Sequence, residues 1–89
     1  MKRLLTTPRF DRRLERFVRR HPELKDVVFE SMTALLKNSP PQSLKLHKLG
    51  GILKGCYGAS VSHAYRLVFV MDSDSVCFLD VGTHDEVYR

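Results

Sequence analysis

Two strongly β-forming segments, Tyr65 to Met71 (YRLVFVM) and Val76 to Val81 (VCFLDV), flank Asp72-Ser73-Asp74. The first is β-branched and aromatic, with Arg66 its only charged residue. Asp and Ser are turn formers because their short side chains bond the backbone just ahead of them. Strands joined by so short a turn run antiparallel, so this hairpin fixes the middle of a sheet. Upstream, Cys56 to Ser62 reads as a further strand with Tyr57, Ala59 and Val61 on one side, and His63-Ala64 as its turn. Gln42 to Leu49 contains the alternating LKLHKL, placing Leu44, Leu46 and Leu49 inward and Lys45, His47 and Lys48 outward. Gly50-Gly51 and Gly55 mark a loop that turns tightly or admits another backbone. After Gly82-Thr83 the chain runs out into a polar tip, His84 to Arg89.

The first half is helical in pattern. Lys2 to Thr6 reads as a short strand with Leu4 and Leu5 toward a core. Thr7-Pro8 then combines a hydroxyl cap with proline at the first helical position. From Pro8 to Arg20, Phe10, Leu14, Phe17 and Val18 form one apolar stripe, while Arg9, Arg12, Arg13, Arg16 and Arg20 lie mostly off it. His21-Pro22 breaks this helix and opens a second, read from Glu23 to Asn38, with Leu24, Val27, Val28, Met32, Leu35 and Leu36 at helical period. So short a joint makes the helices an antiparallel hairpin. His21 is a joint residue with no assigned chemistry. The expected fold is α+β: an N-terminal strand, then a helical hairpin packed on one face of a small antiparallel sheet whose other face stays open.

Eighty-nine residues make one domain, residues 1–89. No apolar run approaches the roughly 18 residues of a membrane span, and Met1 to Arg13 lacks an apolar core of signal-peptide length. The cytoplasm is therefore the expected location. Cys56 and Cys77 fall in strands, as expected of small buried or half-buried thiols. No histidine lies two to five residues from a cysteine, so zinc spacing is absent. Charge is lopsided: residues 1–20 carry eight Lys/Arg against Asp11 and Glu15, whereas residues 21–89 carry seven against eight acids. Such a block is a solvated helix face or a surface for a polyanion or acidic protein.

There is no phosphate-binding glycine loop, no nucleophile elbow and no zinc-protease helix. What remains is His47, Lys48, Lys54, His63, Arg66, His84 and Tyr88. Imidazole exchanges protons near neutral pH, and guanidinium offers a fork to phosphate oxygens. Those parts suffice to cleave RNA without a metal or other cofactor. A base takes the 2′-hydroxyl proton, that oxygen attacks phosphorus, a cation steadies the charge and an acid protonates the leaving 5′-oxygen. Taken singly, a lone histidine is more often a surface or joint residue than a catalytic one.

The run from His47 to Tyr88 resembles the C-terminal half of the RelE/ParE family of bacterial toxins, particularly its RelE- and YafQ-like ribonuclease branch. The matching pieces are His47-Lys48-Leu49 followed by glycine, Leu53-Lys54-Gly55, Tyr65 to Phe69, and Gly82 to Tyr88. The helical first half fits in order and length. The resemblance implies a ribosome-dependent mRNA endonuclease of a type II toxin–antitoxin system, held inactive by a cognate antitoxin. It implies His47 as base, His84 as acid, Tyr88 near the scissile phosphate and Arg66 on that phosphate. Lys48 and Lys54 fall where the RelE branch is basic. Arg9, Arg12, Arg13 and Arg16 would grip ribosomal RNA, and no membrane is involved. Where the YafQ-like pattern has a second strand histidine and a turn aspartate, this chain has Ser60 and Ala64, and His63, one place before Ala64, is the catalytic candidate that would replace either group from a shifted position. Two other readings share the fold: a ParE-like toxin that poisons DNA gyrase by contact, and an inactive homologue that only binds an antitoxin.

Overall fold

The computed structural model describes residues 1–88; Arg89 lies outside the described residues. Strand β1 (Arg3–Thr6) leads into helix α1 (Pro8–Arg20), a single 3₁₀ turn (Pro22–Leu24) and helix α2 (Lys25–Ala34). Strands β2 (His47–Lys48), β3 (Tyr57–Ser60), β4 (Tyr65–Met71) and β5 (Ser75–Thr83) follow, and a short helix α3 (His84–Val87) closes the chain. The five strands form one sheet in the order β1-β5-β4-β3-β2.

The local chemistry explains these elements. Thr7 caps α1 by accepting the Phe10 N–H at 3.0 Å, with Pro8 in the first turn, a cap worth about 1 kcal/mol. Asp72 shapes the β4–β5 turn by accepting the N–H groups of Asp74 and Ser75, each at 2.8 Å. Those two bonds, in that order, hold its carboxyl below the usual range. The α-hairpin covers one face of the sheet. There Phe10, Phe69, Phe78 and Leu67 are fully buried with Val28, Leu35 and Val76, and the rings of Phe10–Phe78 and Phe69–Phe78 pack at 5.7 and 5.6 Å.

Several expectations need correction. Leu4 and Leu5 do not enter the core; both stay exposed, at 43% and 41%. The reason is that β1 is an outer strand, paired in parallel with β5 (Arg3 with Ser75 through Thr6 with Phe78), so the sheet is mixed rather than wholly antiparallel. The second helix is shorter than Glu23–Asn38, because a 3₁₀ turn occupies Pro22–Leu24 and helical geometry ends after Ala34. The LKLHKL alternation is not one strand. A 3₁₀ turn at Gln42–Leu44 and a left-handed Lys45 (φ 51°) leave only His47–Lys48 as β2. The polar tip is helical, closed by a reciprocal cap between Thr83 and Glu86.

One irregularity governs the open face. Phe69 pairs with Phe78 but Val68 pairs with Asp80, so Leu79 is an extra residue in β5. Strict alternation from Val76 and Phe78 would have sent Asp80 into the core. The bulge instead turns Asp80 and Gly82 to the other side and returns Val81 to the core, where it is 2% exposed. Among the described residues no helix is long and apolar enough to cross a membrane.

Candidate active site

The face of the sheet away from the α-hairpin gathers the candidate side chains, and it does not stay open as expected: α3 lies over it, leaving Val68 2% and Val87 5% exposed. His47 pairs with Gly58, Gly58 with Val68, and Val68 with Asp80, and paired residues project to the same side. Arg66 stands two residues from Val68 on β4 and therefore shares this side. It pairs with Gly82, and α3 folds back over that glycine. A side-chain carbon at Gly82 would come within 2.9 Å of Glu86 Oε1 and 3.2 Å of its Cβ.

Gly58 is the floor on which the site converges. A Cβ there would lie 2.5 Å from the Tyr88 hydroxyl and 3.2 Å from His47 Cε1. Tyr88 and His47 thus reach the same point from opposite ends of the sequence half. The rings of His84 and Tyr88 meet edge to face at 4.5 Å, which brings His84 into the group. The Tyr88 oxygen is buried and has no hydrogen-bond partner among the described residues. Burial pushes its phenol upward in pKa, with the Arg66 charge pulling the other way. The hydroxyl therefore stays protonated at neutral pH, a donor held ready without an acceptor.

Each partner is oriented. His47 Nδ1 lies 2.7 Å from the Lys45 carbonyl. A carbonyl only accepts, so Nδ1 carries the proton and Nε2 of the neutral ring presents a lone pair. His84 Nδ1 lies 3.5 Å from Asp85 Oδ1, an ion pair once the ring is protonated. Arg66 Nη1 donates to the carbonyls of Ser62 (2.9 Å), Tyr65 (3.1 Å) and His63 (3.2 Å). Its Nε and Nη2 have no bond among the described residues, leaving half the fork for a ligand. Together these are two imidazoles beside one protonated phenol, with a fixed cation on the same face of the sheet.

Other sequence-derived candidates lie elsewhere. His63 is exposed in the β3–β4 turn, contributing its carbonyl to Arg66. Lys48 pairs with Tyr57 and so projects opposite to His47; Lys54 lines the same shallow cleft as Lys48. Arg13 Nε donates to Asp80 Oδ1, and Arg9 Nη2 lies 3.9 Å from Asp80 Oδ2, so both are engaged within the fold. Arg12 and Arg16 are exposed. Cys56 and Cys77 are free and half-buried, and no group of metal ligands occurs among the described residues.

Sequence reading missed Gly58 and Asp80. Both carried a signal: a glycine inside a strand marks a close approach, and a lone acid inside an apolar strand demands a partner.

The five-stranded mixed sheet, its helical pair and the short helix laid over the open face make up the fold of the RelE-family toxins. Among solved structures, YafQ from Escherichia coli strain BL21(DE3) superposes with a TM-score of 0.86 at 21% identity, covering 100% of both chains. A chain of the E. coli DinJ–YafQ complex gives 0.84 at 22%, again over 100% of both. The YoeB–YefM complex from Staphylococcus aureus gives 0.75 at 19%, over 94% of this chain and 98% of that one. At such identities the likeness is one of fold. No family model matches the chain, and no curated protein matches it.

Proposed function

We propose that this chain is the toxin of a type II toxin–antitoxin pair and acts as a metal-independent endoribonuclease on mRNA at the ribosome. The observation that carries this reading is the meeting of His47 and Tyr88 over Gly58, with His84 against the Tyr88 ring and Arg66 on the same face. His47 Nε2 takes the proton of the 2′-hydroxyl, whose oxygen attacks the adjacent phosphorus. The free half of the Arg66 guanidinium and the Tyr88 hydroxyl steady the charge growing on the phosphoryl oxygens. His84, as imidazolium, delivers a proton to the departing 5′-oxygen. The products are a 2′,3′-cyclic phosphate and a 5′-hydroxyl, so no water or electron is consumed in the step.

Solved relatives in fold include a DinJ–YafQ toxin–antitoxin complex, which supports a cognate antitoxin for this chain as well. The exposed Arg12 would add a ribosomal RNA contact through a phosphate. Cleavage of a translated message by His84→Ala and Arg66→Ala tests the assignment. Each substitution removes about 10²–10⁴-fold of the rate. Wild-type cleavage by both variants, or inhibition of purified gyrase with RNA left whole, excludes it.

A further inference from the structure

Three arginines of α1 face a cleft that the chemistry at His47 and His84 does not use. Arg13, Arg16 and Arg20 lie on one stripe of the helix, three and four residues apart. They look across at Val81, Gly82 and Glu86 over a cavity of about 80 Å³. The cleft exists because β1 ends at Thr6, paired with Phe78, so the outer edge of β5 has no strand neighbour from Leu79 onward. Two carboxylates cap that edge instead. Asp80 Oδ1 accepts the Val81 N–H and Glu86 Oε1 accepts the Thr83 N–H, each at 2.8 Å.

The charges do not balance. Arg9 and Arg13 pair with Asp80, while Arg16 and Arg20 make no hydrogen bond or contact ion pair among the described residues. Four guanidinium groups thus face two carboxylates. We propose that the cleft holds one backbone phosphate of the RNA strand, separate from the phosphate attacked over Gly58; this rests on the ribonuclease reading above. Glu86 and the pair His84 and Tyr88 occupy the two sides of α3, and Gly82 sits beside Arg66 in register, one strand spacing of about 4.8 Å away. The cleft is lined by Gly82 and Glu86 as well as by Arg16 and Arg20, so it opens beside α3. Guanidinium groups from successive turns suit the several oxygens of a phosphate.

The test is binding of a short 2′-O-methyl RNA oligonucleotide, which lacks the attacking hydroxyl, across a range of salt concentrations. The variant Arg16→Ala/Arg20→Ala is compared with Arg19→Ala, which loses charge from the other side of the same helix, where Arg19 pairs with Glu15. The double variant binds roughly tenfold more weakly, and its salt slope falls by about 0.7 for the lost phosphate; Arg19→Ala leaves both near wild type. Equal losses in the two variants would reduce the cleft to general positive charge and overturn the proposal. So would unchanged RNA binding with lost binding of a poly-glutamate peptide. Because the probe cannot be cut, a protein that binds it through Arg16 and Arg20 but spares translated message retains the cleft and loses the nuclease reading. Cleavage with no effect of the double variant does the reverse.

Discussion

The two faces of this sheet are built from alternate residues of the same strands, yet they obey opposite rules. On β4, Leu67 and Phe69 are fully buried under the α-hairpin, while Arg66 between Tyr65 and Leu67 holds turn carbonyls and keeps half its fork free. On β3, Ala59 is sealed in the core while Gly58 is the bare floor under Tyr88 and His47. One face satisfies every contact with aromatic and aliphatic packing. The other holds a buried phenol oxygen with no hydrogen-bond partner among the described residues. A strand whose successive side chains point to opposite faces lets a small domain keep both.

The sharpest way to break this division is Phe78→Ala. Phe78 touches Phe10 and Phe69, so its loss should cost about 3–5 kcal/mol, a large share of a domain's usual 5–15 kcal/mol. Denaturant titration reads this directly, and a loss below about 1 kcal/mol would mean that the covered face is not where stability resides. Gly58→Ala should strike the other face. The added methyl would meet the Tyr88 hydroxyl at 2.5 Å, Leu49 at 3.1 Å and His47 at 3.2 Å, so these side chains must shift while the hairpin-side core stays intact; the stability loss is smaller than for Phe78→Ala and cleavage drops roughly ten- to a hundredfold. Tyr88→Phe sharpens the contrast further. Removing a buried hydroxyl that has no partner should leave stability equal or up to about 1 kcal/mol higher, with slower cleavage; a clear destabilisation would show that the hydroxyl has a structural partner.

The smallest effect is set by pH. Thr83's backbone N–H, then its hydroxyl and the charges of Arg13 and Arg20, hold the Glu86 carboxyl below its ordinary 4.5, and Asp72 lies below 3.8. A carboxyl depressed in the folded state stabilises above its unfolded pKa and loses that contribution as pH falls through the folded value. Thermal melting should therefore move down as pH drops below about 4, and Glu86→Gln should flatten part of that slope. An unchanged slope would mean that Glu86 does not tie α3 to the sheet edge.

How much of this was legible beforehand depended on whether the signal was local. Thr7-Pro8, the α1 stripe, the Tyr65–Met71 strand and the Asp72 turn all declare themselves within a few residues, and all stand where the sequence puts them. The burial of Leu4 and Leu5 failed because it depends on which strand β1 meets, a choice made across most of the chain. His47, Arg66, His84 and Tyr88 could be chosen by type and by resemblance. Their common floor could not, because the Leu79 bulge and the fold-back of α3 set which side each faces. The bulge has no turn residue to announce it, and it alone turns Asp80 out of the core to meet Arg13.

Strand β1 finds its neighbour in Ser75–Phe78, and the residues that follow β5 immediately are those of α3. During synthesis the sheet therefore stays incomplete until β5 emerges, and α3 comes into place in nearly the same moment. An unfinished polypeptide carries its imidazoles scattered, with no shared floor beneath them. The floor at Gly58 therefore assembles only when β3 and α3 are both in place, which makes the last-formed contacts of the sheet the ones that bring the imidazoles together.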